Sequence, residues 1–477
     1  MKVLFITSES VPFLKTGGLA DVAGSLPAYL KKEGVDIRVV MPLYSKISEE
    51  YKKDMDFLGY FYVDLGFRHQ YAGVLSYVYK DVTYYFIDSE YYFNRGNIYG
   101  EEDDRERFIF FSKAAVMLAK FLDFKADIIH SNDWHTGLVP LLREDFAKGD
   151  SFYGDIKTVH TMHNLKYQGV FPASTLEEVA GLSKSYYTED GIKYYDNINL
   201  MKAGIVYSNI LNTVSRSYAE EIKYPFFGEG LEGIISQHSG KLRGIVNGID
   251  YDEYNPKTDK KIAKNYNLKT IGDKKKNKLA LQEKFGLPQR EDIPIISMVS
   301  RLVAMKGLDL VAAIMEELLQ EDIQFVMLGT GDAQYEEMFK YFEYKYPEKM
   351  AARVYFNEDE AHLIYAASDI FLMPSMSEPC GISQLISLRY GTIPIVREVG
   401  GLKDTVEPYN MYTGGGNGFT FENFNAHELL FTIKRALFLY KDETIWYNLI
   451  KSAMNSKNDW ERSSKEYIAI YNELIND

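Results

Sequence analysis

Short apolar runs rich in β-branched residues alternate, through nearly the whole chain, with stretches whose apolar positions recur every three to four residues. A run apolar on both sides suits a buried parallel strand, and recurrence at 3.6 residues suits a helix lying against it. In the first half the pattern predicts strands at 3–7, 36–41, 84–87, 127–130, 157–161 and 210–214. It also predicts a helix over 104–121, where Phe108, Phe111, Ala115 and Leu118 share one face. The second half repeats the grammar with strands at 293–299, 325–328, 354–356, 369–373 and 393–396, and helices at 307–319, 333–344, 360–367 and 383–390. Strand and helix alternating twice over predicts an α/β protein of two Rossmann-like domains. Gly, Asn, Asp and Pro cluster at 244–259 and mark the seam. The reading is a first domain over 1–245 and a second over 246–456. A terminal helix at about 457–477 packs back on the first domain through a stripe of Tyr467, Ile470, Tyr471, Leu474 and Ile475. The basic run KNYNLKTIGDKKKNK is expected to open the second domain as a solvated helix face.

Composition narrows the classes. A chain of 477 residues suits two or three cores at roughly 150 residues each. Its formal charge of −14 argues against nucleic acid and anionic lipid, which need a basic field. An anionic ligand must therefore meet a local basic pocket. The sole cysteine, Cys380, leaves no disulfide framework and no cysteine-based zinc site. No apolar run approaches the roughly 18 residues that cross a bilayer, and the opening MKVLFITSE reads as a strand. A soluble cytoplasmic protein is expected.

The candidate chemistry gathers after strand ends, where open α/β sheets bind ligands. Gly17 and Gly18 in LKTGGLADV permit close backbone approach, with Lys15 and Asp21 beside them, but the GxGxxG fingerprint of dinucleotide folds is missing. Arg301 and Lys306 follow the first strand of the second half and precede a helix. Two cations with free amides there make a diphosphate site that needs no metal. The segment SEPCGISQL offers Glu378 to grip sugar hydroxyls and the helix-start amides of Gly381 to Ser383 to hold phosphate. Cys380 lacks a visible histidine partner and is discounted as a nucleophile. His130, His135, His160 and His163 lack HExxH spacing, so a hydrogen-bonding His163 is preferred to a zinc site. Asp133 and Trp134 offer a polar contact and a sugar-stacking face, with packing as the plainer use of the tryptophan. Asp250 and Asp252 read as a turn, TGGGNGF at 413–419 as a flexible loop, and GTGD at 329–332 as a strand-to-helix turn near the ligand.

KTGGLADV at 15–22, HNLKYQG at 163–169, NGID at 247–250, SRLVAMKG at 300–307 and EPCGISQL at 378–385 stand in a fixed order. With these motifs the chain resembles the bacterial glycogen synthases and plant starch synthases, retaining glycosyltransferases of family 5. The resemblance runs from the first strand to about residue 413. It implies a GT-B fold, with two Rossmann-like domains facing a deep cleft that closes about the 244–259 connector. It implies transfer of glucose from ADP-glucose to the non-reducing end of an α-1,4-glucan such as glycogen, with retention and without a cofactor or metal. Lys15, Gly18, Asn247, Phe356, Glu378, Cys380, Gly381, Ile382 and Ser383 would then bind the donor, Phe356 by covering adenine. Arg301 and Lys306 would neutralise the departing diphosphate, and His163 would sit near the reacting carbon. Asp21, Asp133, Trp134 and Asn164 would lie toward the acceptor. Met376 and Ser377 stand where the family commonly has an arginine and an aromatic residue, and Ile386 stands where related transferases carry a second glutamate. A UDP-glucose donor, a sucrose-type acceptor and a non-catalytic glucan-binding protein stay open.

Overall fold

Buried apolar strands assemble two large sheets, each the centre of its own unit, beside one small three-stranded sheet. The computed structural model describes residues 1–476. It divides into Met1–Asn247 with Trp460–Asp477, and Gly248–Asp459, against the sequence-read seams at 245/246 and 456/457.

The first unit is built on a nine-stranded sheet. Its central strand, Lys2–Ile6, is buried at four of five positions and pairs in parallel with Asp36–Pro42 on one side and Ile128–Asn132 on the other. Beyond Ile128–Asn132 follow Lys157–Met162, Ile210–Thr213 and Leu242–Gly244, all parallel. Beyond Asp36–Pro42 comes Val82–Asp88, then His69–Tyr79 and the edge strand Asp56–Asp64, both antiparallel. That hairpin was not predicted. Its outward positions are aromatic instead of polar, so the alternation that marks a half-exposed strand is hidden. The helix Asp104–Phe121 stands where periodicity put it, with Phe108, Phe111, Ala115 and Leu118 fully buried. The terminal helix Trp460–Asn476 packs on this unit: Tyr467, Ile470, Tyr471 and Leu474 are buried, whereas Ile475 turns outward.

The second unit carries a six-stranded parallel sheet. Its strands, taken in chain order, lie in the spatial order 3-2-1-4-5-6, the arrangement of dinucleotide-binding α/β folds. The first, Ile295–Val299, sits between Gln324–Leu328 and Ile370–Met373. The strand expected at 354–356 is Met350–Arg353 instead, so Phe356 lies past its end. Alanines with low strand propensity disguised the true strand, and the bulkier VYF beside it drew the reading away.

The basic run also departs from expectation. The helix Lys274–Phe285 turns Lys274 and Lys278 inward. Lys274 Nζ donates to the Ala366 carbonyl and Thr392 Oγ1, each at 2.8 Å. Lys278 Nζ lies 2.7 Å from an Asp369 carboxylate oxygen. Burial pushes Lys274 down to about 7. These lysines satisfy carbonyls at strand and helix ends, a use that charge count alone cannot distinguish from solvation.

Candidate active site

In an open parallel sheet the chain leaves the middle in opposite directions at one place, and the loops there part to leave a crevice. In the first unit this place lies between Lys2–Ile6 and Ile128–Asn132. The loop after Lys2–Ile6 returns in KTGG, and the helix Gly18–Lys32 begins without a side-chain cap, the Ala20 amide of its first turn donating to the Gly17 carbonyl at 3.3 Å. Lys15 Nζ lies 2.7 Å from Asp21 Oδ1, so the donor and acceptor residues of the sequence reading form one ion pair. Glu9, 3% exposed, holds the loop from beneath by accepting from the amide and hydroxyl of Thr16, each at 2.6 Å. Burial pushes its carboxyl up to about 7 against those two bonds. The sequence reading missed Glu9; its only signal was an acidic residue just past a buried strand.

The loop after Ile128–Asn132 supplies Asp133 at φ 55°, a strained conformation for a residue with a side chain. It aims Oδ1 at the backbone amides of His163, 2.7 Å away, and Asn164, 3.4 Å away. Burial raises this carboxyl to about 7, the two amides oppose the rise, and Glu9, once ionised, adds to it. His163 Nε2 lies 2.9 Å from Asn132 Oδ1, and the Asn132 amide nitrogen donates to the Ile6 carbonyl. That orientation makes Nε2 the protonated nitrogen and leaves Nδ1 as an acceptor. Burial pushes His163 down to about 3, so the ring is neutral at physiological pH.

Trp134 is a correction. It is 8% exposed, wedged against Phe108 at 5.2 Å and Phe171 at 5.8 Å. Gly169 backs it so closely that a Cβ there would lie 2.3 Å from the indole. It packs the wall of the site and offers no open stacking face. The other histidines are also engaged in packing. His130 binds Tyr471 and Thr161, His135 stacks on Tyr99 at 4.3 Å, and His160 binds Ser131.

In the second unit the switch point lies between Ile295–Val299 and Ile370–Met373. The loops leaving both strands are clamped together. The Met376 amide donates to the Met305 carbonyl at 2.8 Å. Gly307, at φ 74°, passes so close to Pro374 that a Cβ would lie 2.0 Å from its carbonyl oxygen. The clamp brings Lys306 Nζ to 2.6 Å from Glu378 Oε2, with the Ser375 hydroxyl donating to the same oxygen at 3.0 Å. Glu378 is 7% exposed. Arg301 is exposed, and its guanidinium has no carboxylate partner among the described residues. Arg397 Nη1 donates to the Met376 carbonyl at 2.8 Å and steadies the loop from the neighbouring strand Ile393–Arg397.

The EPCG turn closes against the Gly400–Gly401 backbone, where the Gly401 amide donates to the Glu378 carbonyl at 3.1 Å. Cys380 is buried in this turn. Gly381 takes φ 75°, and the Gln384 amide fills the space a Cβ would need. Ser383 opens the helix Ser383–Arg389, which has no side-chain cap. GTGD packs beside the Arg301 loop, since the Leu302 amide donates to the Thr330 carbonyl and the Asp332 amide to that of Leu302. Phe356 is 78% exposed, its ring open to a ligand. Asn247 is buried with Oδ1 unbonded among the described residues. Asp250 accepts from the Asp252 amide at 2.8 Å, which makes the DxD a turn.

The family model for the starch synthase catalytic domain matches residues 2–237, and that for group 1 glycosyl transferases matches 281–450. A glycogen synthase of Finegoldia magna is 58% identical over 478 residues, covering all of both chains. One from Clostridium botulinum is 54% identical and covers 99% of each chain. The chain belongs to the glycogen synthase family.

Its structure superposes on the catalytic domain of starch synthase IV from Arabidopsis thaliana, solved with ADP and acarbose bound. The TM-score is 0.93 at 33% identity, over 100% of this chain and 99% of that one. A sucrose-phosphate synthase from Thermosynechococcus elongatus, at TM-score 0.62 and 17% identity, shares the fold alone. The glycogen synthase family assignment makes the chain a retaining glycosyltransferase of GT-B fold, and the two switch points are where its chemistry is to be sought. Among the described residues no helix is long and apolar enough to cross a membrane.

Proposed function

We propose that this member of the glycogen synthase family transfers glucose from ADP-glucose to the non-reducing end of an α-1,4-glucan with retention, in the cytoplasm and without a resident metal. The observation carrying the reading is the Lys306–Glu378 pair at 2.6 Å beside Arg301. A diphosphate entering there meets one cation already paired with a carboxylate and one with no carboxylate partner among the described residues, and together they supply the positive charge that a divalent ion supplies elsewhere. The starch synthase IV relative, named with ADP and acarbose bound, supports the donor and acceptor classes.

In the reaction the bond from the glucose anomeric carbon to the diphosphate oxygen breaks. The glucan hydroxyl attacks from the same face, and its proton passes to the leaving phosphate oxygen. Arg301 and Lys306 neutralise the charge that grows on that oxygen. Glu378, released from Lys306 as the ammonium turns to phosphate, binds glucose hydroxyls and offsets the positive charge on the ring. The amides of Cys380, Gly381 and Ile382 and the Ser383 hydroxyl complete the donor cradle, with Phe356 over adenine and Lys15, Gly18 and Asn247 as further donor contacts. His163, held neutral, offers Nδ1 as an acceptor near the reacting carbon without adding charge. Asp21, Asp133 and Asn164 take acceptor hydroxyls, and Trp134 shapes the wall behind them.

The test is incorporation of labelled glucose into glycogen from ADP-glucose and from UDP-glucose, with and without a chelator. Incorporation from ADP-glucose unaffected by chelation is expected. Preference for UDP-glucose, or activity lost with the metal, overturns the corresponding clause.

A further inference from the structure

A cluster of charged side chains stands in the second unit, where residues of the connector meet the helix Glu358–Ala367. Glu358 and His362 are four residues apart on that helix, so both side chains leave the same face. Glu253 reaches them from the connector, its Oε1 lying 3.7 Å from His362 Nε2. The carboxylate oxygens and the imidazole nitrogen of the three lie within 4.8 Å of one another. None of the three belongs to the donor or acceptor residues named above.

His362 is held as a metal ligand is held. It is 1% exposed, and its ring stacks on Tyr254 at 5.0 Å and 21°. Nδ1 lies 2.8 Å from Asp259 Oδ2, and the Tyr390 hydroxyl donates to the same oxygen at 2.5 Å. The other oxygen, Oδ1, accepts from the Lys261 amide at 2.8 Å. A fixed carboxylate that takes the proton on Nδ1 sets the tautomer, so Nε2 carries the lone pair and turns it toward the two glutamates. That lone pair is poorly used. Among the described residues its hydrogen-bond partner is Lys261 Nζ at 3.4 Å, longer than an ordinary N–H bond. The same ammonium lies 2.9 Å from Glu253 Oε1 and 3.5 Å from Glu358 Oε1. A cation thus already occupies the point on which the three atoms converge.

We propose that this cluster is an exchangeable site for a divalent transition-metal ion, zinc or a like first-row ion, bound by Glu253, Glu358 and His362 in place of the Lys261 ammonium. One imidazole nitrogen and two carboxylate oxygens, with water in the open position, suit such an ion, whereas magnesium and calcium take oxygen ligands. Neighbouring ligand atoms round a tetrahedral zinc stand about 3.3 Å apart, so the triangle contracts on binding. The Glu253 and Glu358 side chains, 46% and 53% exposed, have room to swing in, while the imidazole stays fixed. Lys261, on its flexible four-carbon stem, withdraws to solvent. The bound ion pins the connector to the helix that begins two residues after Phe356. Lys261 balances the glutamates when no ion is offered, so the fold and the transfer reaction do without it.

Calorimetric titration of zinc chloride into the full, untagged chain tests the site. Saturable binding of one ion is expected, and excess magnesium chloride is expected not to displace it. Glu358→Gln is expected to weaken the binding about tenfold or more, since changes outside the ligand set alone cost that much. Lys261→Met is expected to act in the opposite direction. It removes one opposing charge at roughly 4 Å and tightens binding about fivefold to tenfold. The parent failing to bind zinc overturns the proposal. Equal affinity in all three proteins places the ion elsewhere and also overturns it, as does weaker binding to Lys261→Met or displacement by magnesium. A second measurement needs no substitution. Anomalous scattering at the zinc edge, from crystals of the unaltered protein soaked in zinc chloride, should show a peak between His362 Nε2 and the two glutamates; no peak there refutes the site.

Discussion

Lys306 and Glu378 neutralise one another at 2.6 Å while Arg301 has no carboxylate partner among the described residues, so the second switch point holds one cation committed and one in reserve. Removing either cation withdraws charge stabilisation from the leaving diphosphate, a loss comparable to deleting one oxyanion donor. Lys306→Ala is expected to lower kcat by roughly 10² to 10³ with the circular dichroism spectrum unchanged, measured as steady-state incorporation at saturating donor. Glu9 makes a pH prediction. Below its ordinary value of 4.5 the carboxyl is neutral in folded and unfolded chain alike. Between 4.5 and about 7 the unfolded chain ionises it while the folded chain does not, so stability falls as pH rises across that window. Glu9→Gln abolishes that loss. Its melting temperature relative to the parent should therefore be higher at pH 8 than at pH 5; a constant difference would show that Glu9 does not titrate in this range.

At the scale of elements, the loops matter through their clamps. Gly307 joins the Arg301 loop to its helix in a left-handed conformation pressed on the Pro374 carbonyl. Gly307→Ala meets both strain and a clash, and is expected to cost about 2–4 kcal/mol of stability and to part Lys306 from Glu378. Urea denaturation measures the first effect and a raised KM for ADP-glucose the second; wild-type values for both would mean the loop absorbs the methyl group. Here the glycine was legible in SRLVAMKG, but the surface it presses on was not. The same holds for the helix Lys274–Phe285, whose lysines read as solvated until the 365–366 carbonyls and Thr392 were placed around them. It holds for the edge hairpin too, whose aromatic outward face masked its period of two.

For the molecule as a whole, the two units have their own sheets, and the terminal helix belongs to the first. Tyr471 hydrogen-bonds His130 at 2.6 Å and Tyr467 bonds Asn212 at 2.9 Å, all in the interior. Deleting residues 460–477 strips those partners and uncovers apolar surface, with an expected cost of several kcal/mol. Hydrogen exchange should accelerate in Ile128–Asn132 and Ile210–Thr213 and stay unchanged in Ile295–Val299; equal acceleration in both units would contradict this assignment of the helix.

What the sequence determined by itself was local in origin. The period of apolar residues set the order of strands and helices, and glycine, lysine and glutamate after strand ends marked KTGG, SRLVAMKG and EPCG as places where a ligand could lie. Periodicity and backbone freedom act over a few residues, so one dimension records them. Only the tertiary structure decided that Lys306 meets a glutamate 72 residues away, that Trp134 is walled in, that Glu9 is buried enough to hold its proton, and that Lys261 stands among Glu253, Glu358 and His362. Burial, ion pairing and exposure depend on which distant segments the fold brings together, and neighbouring residues do not encode that individually.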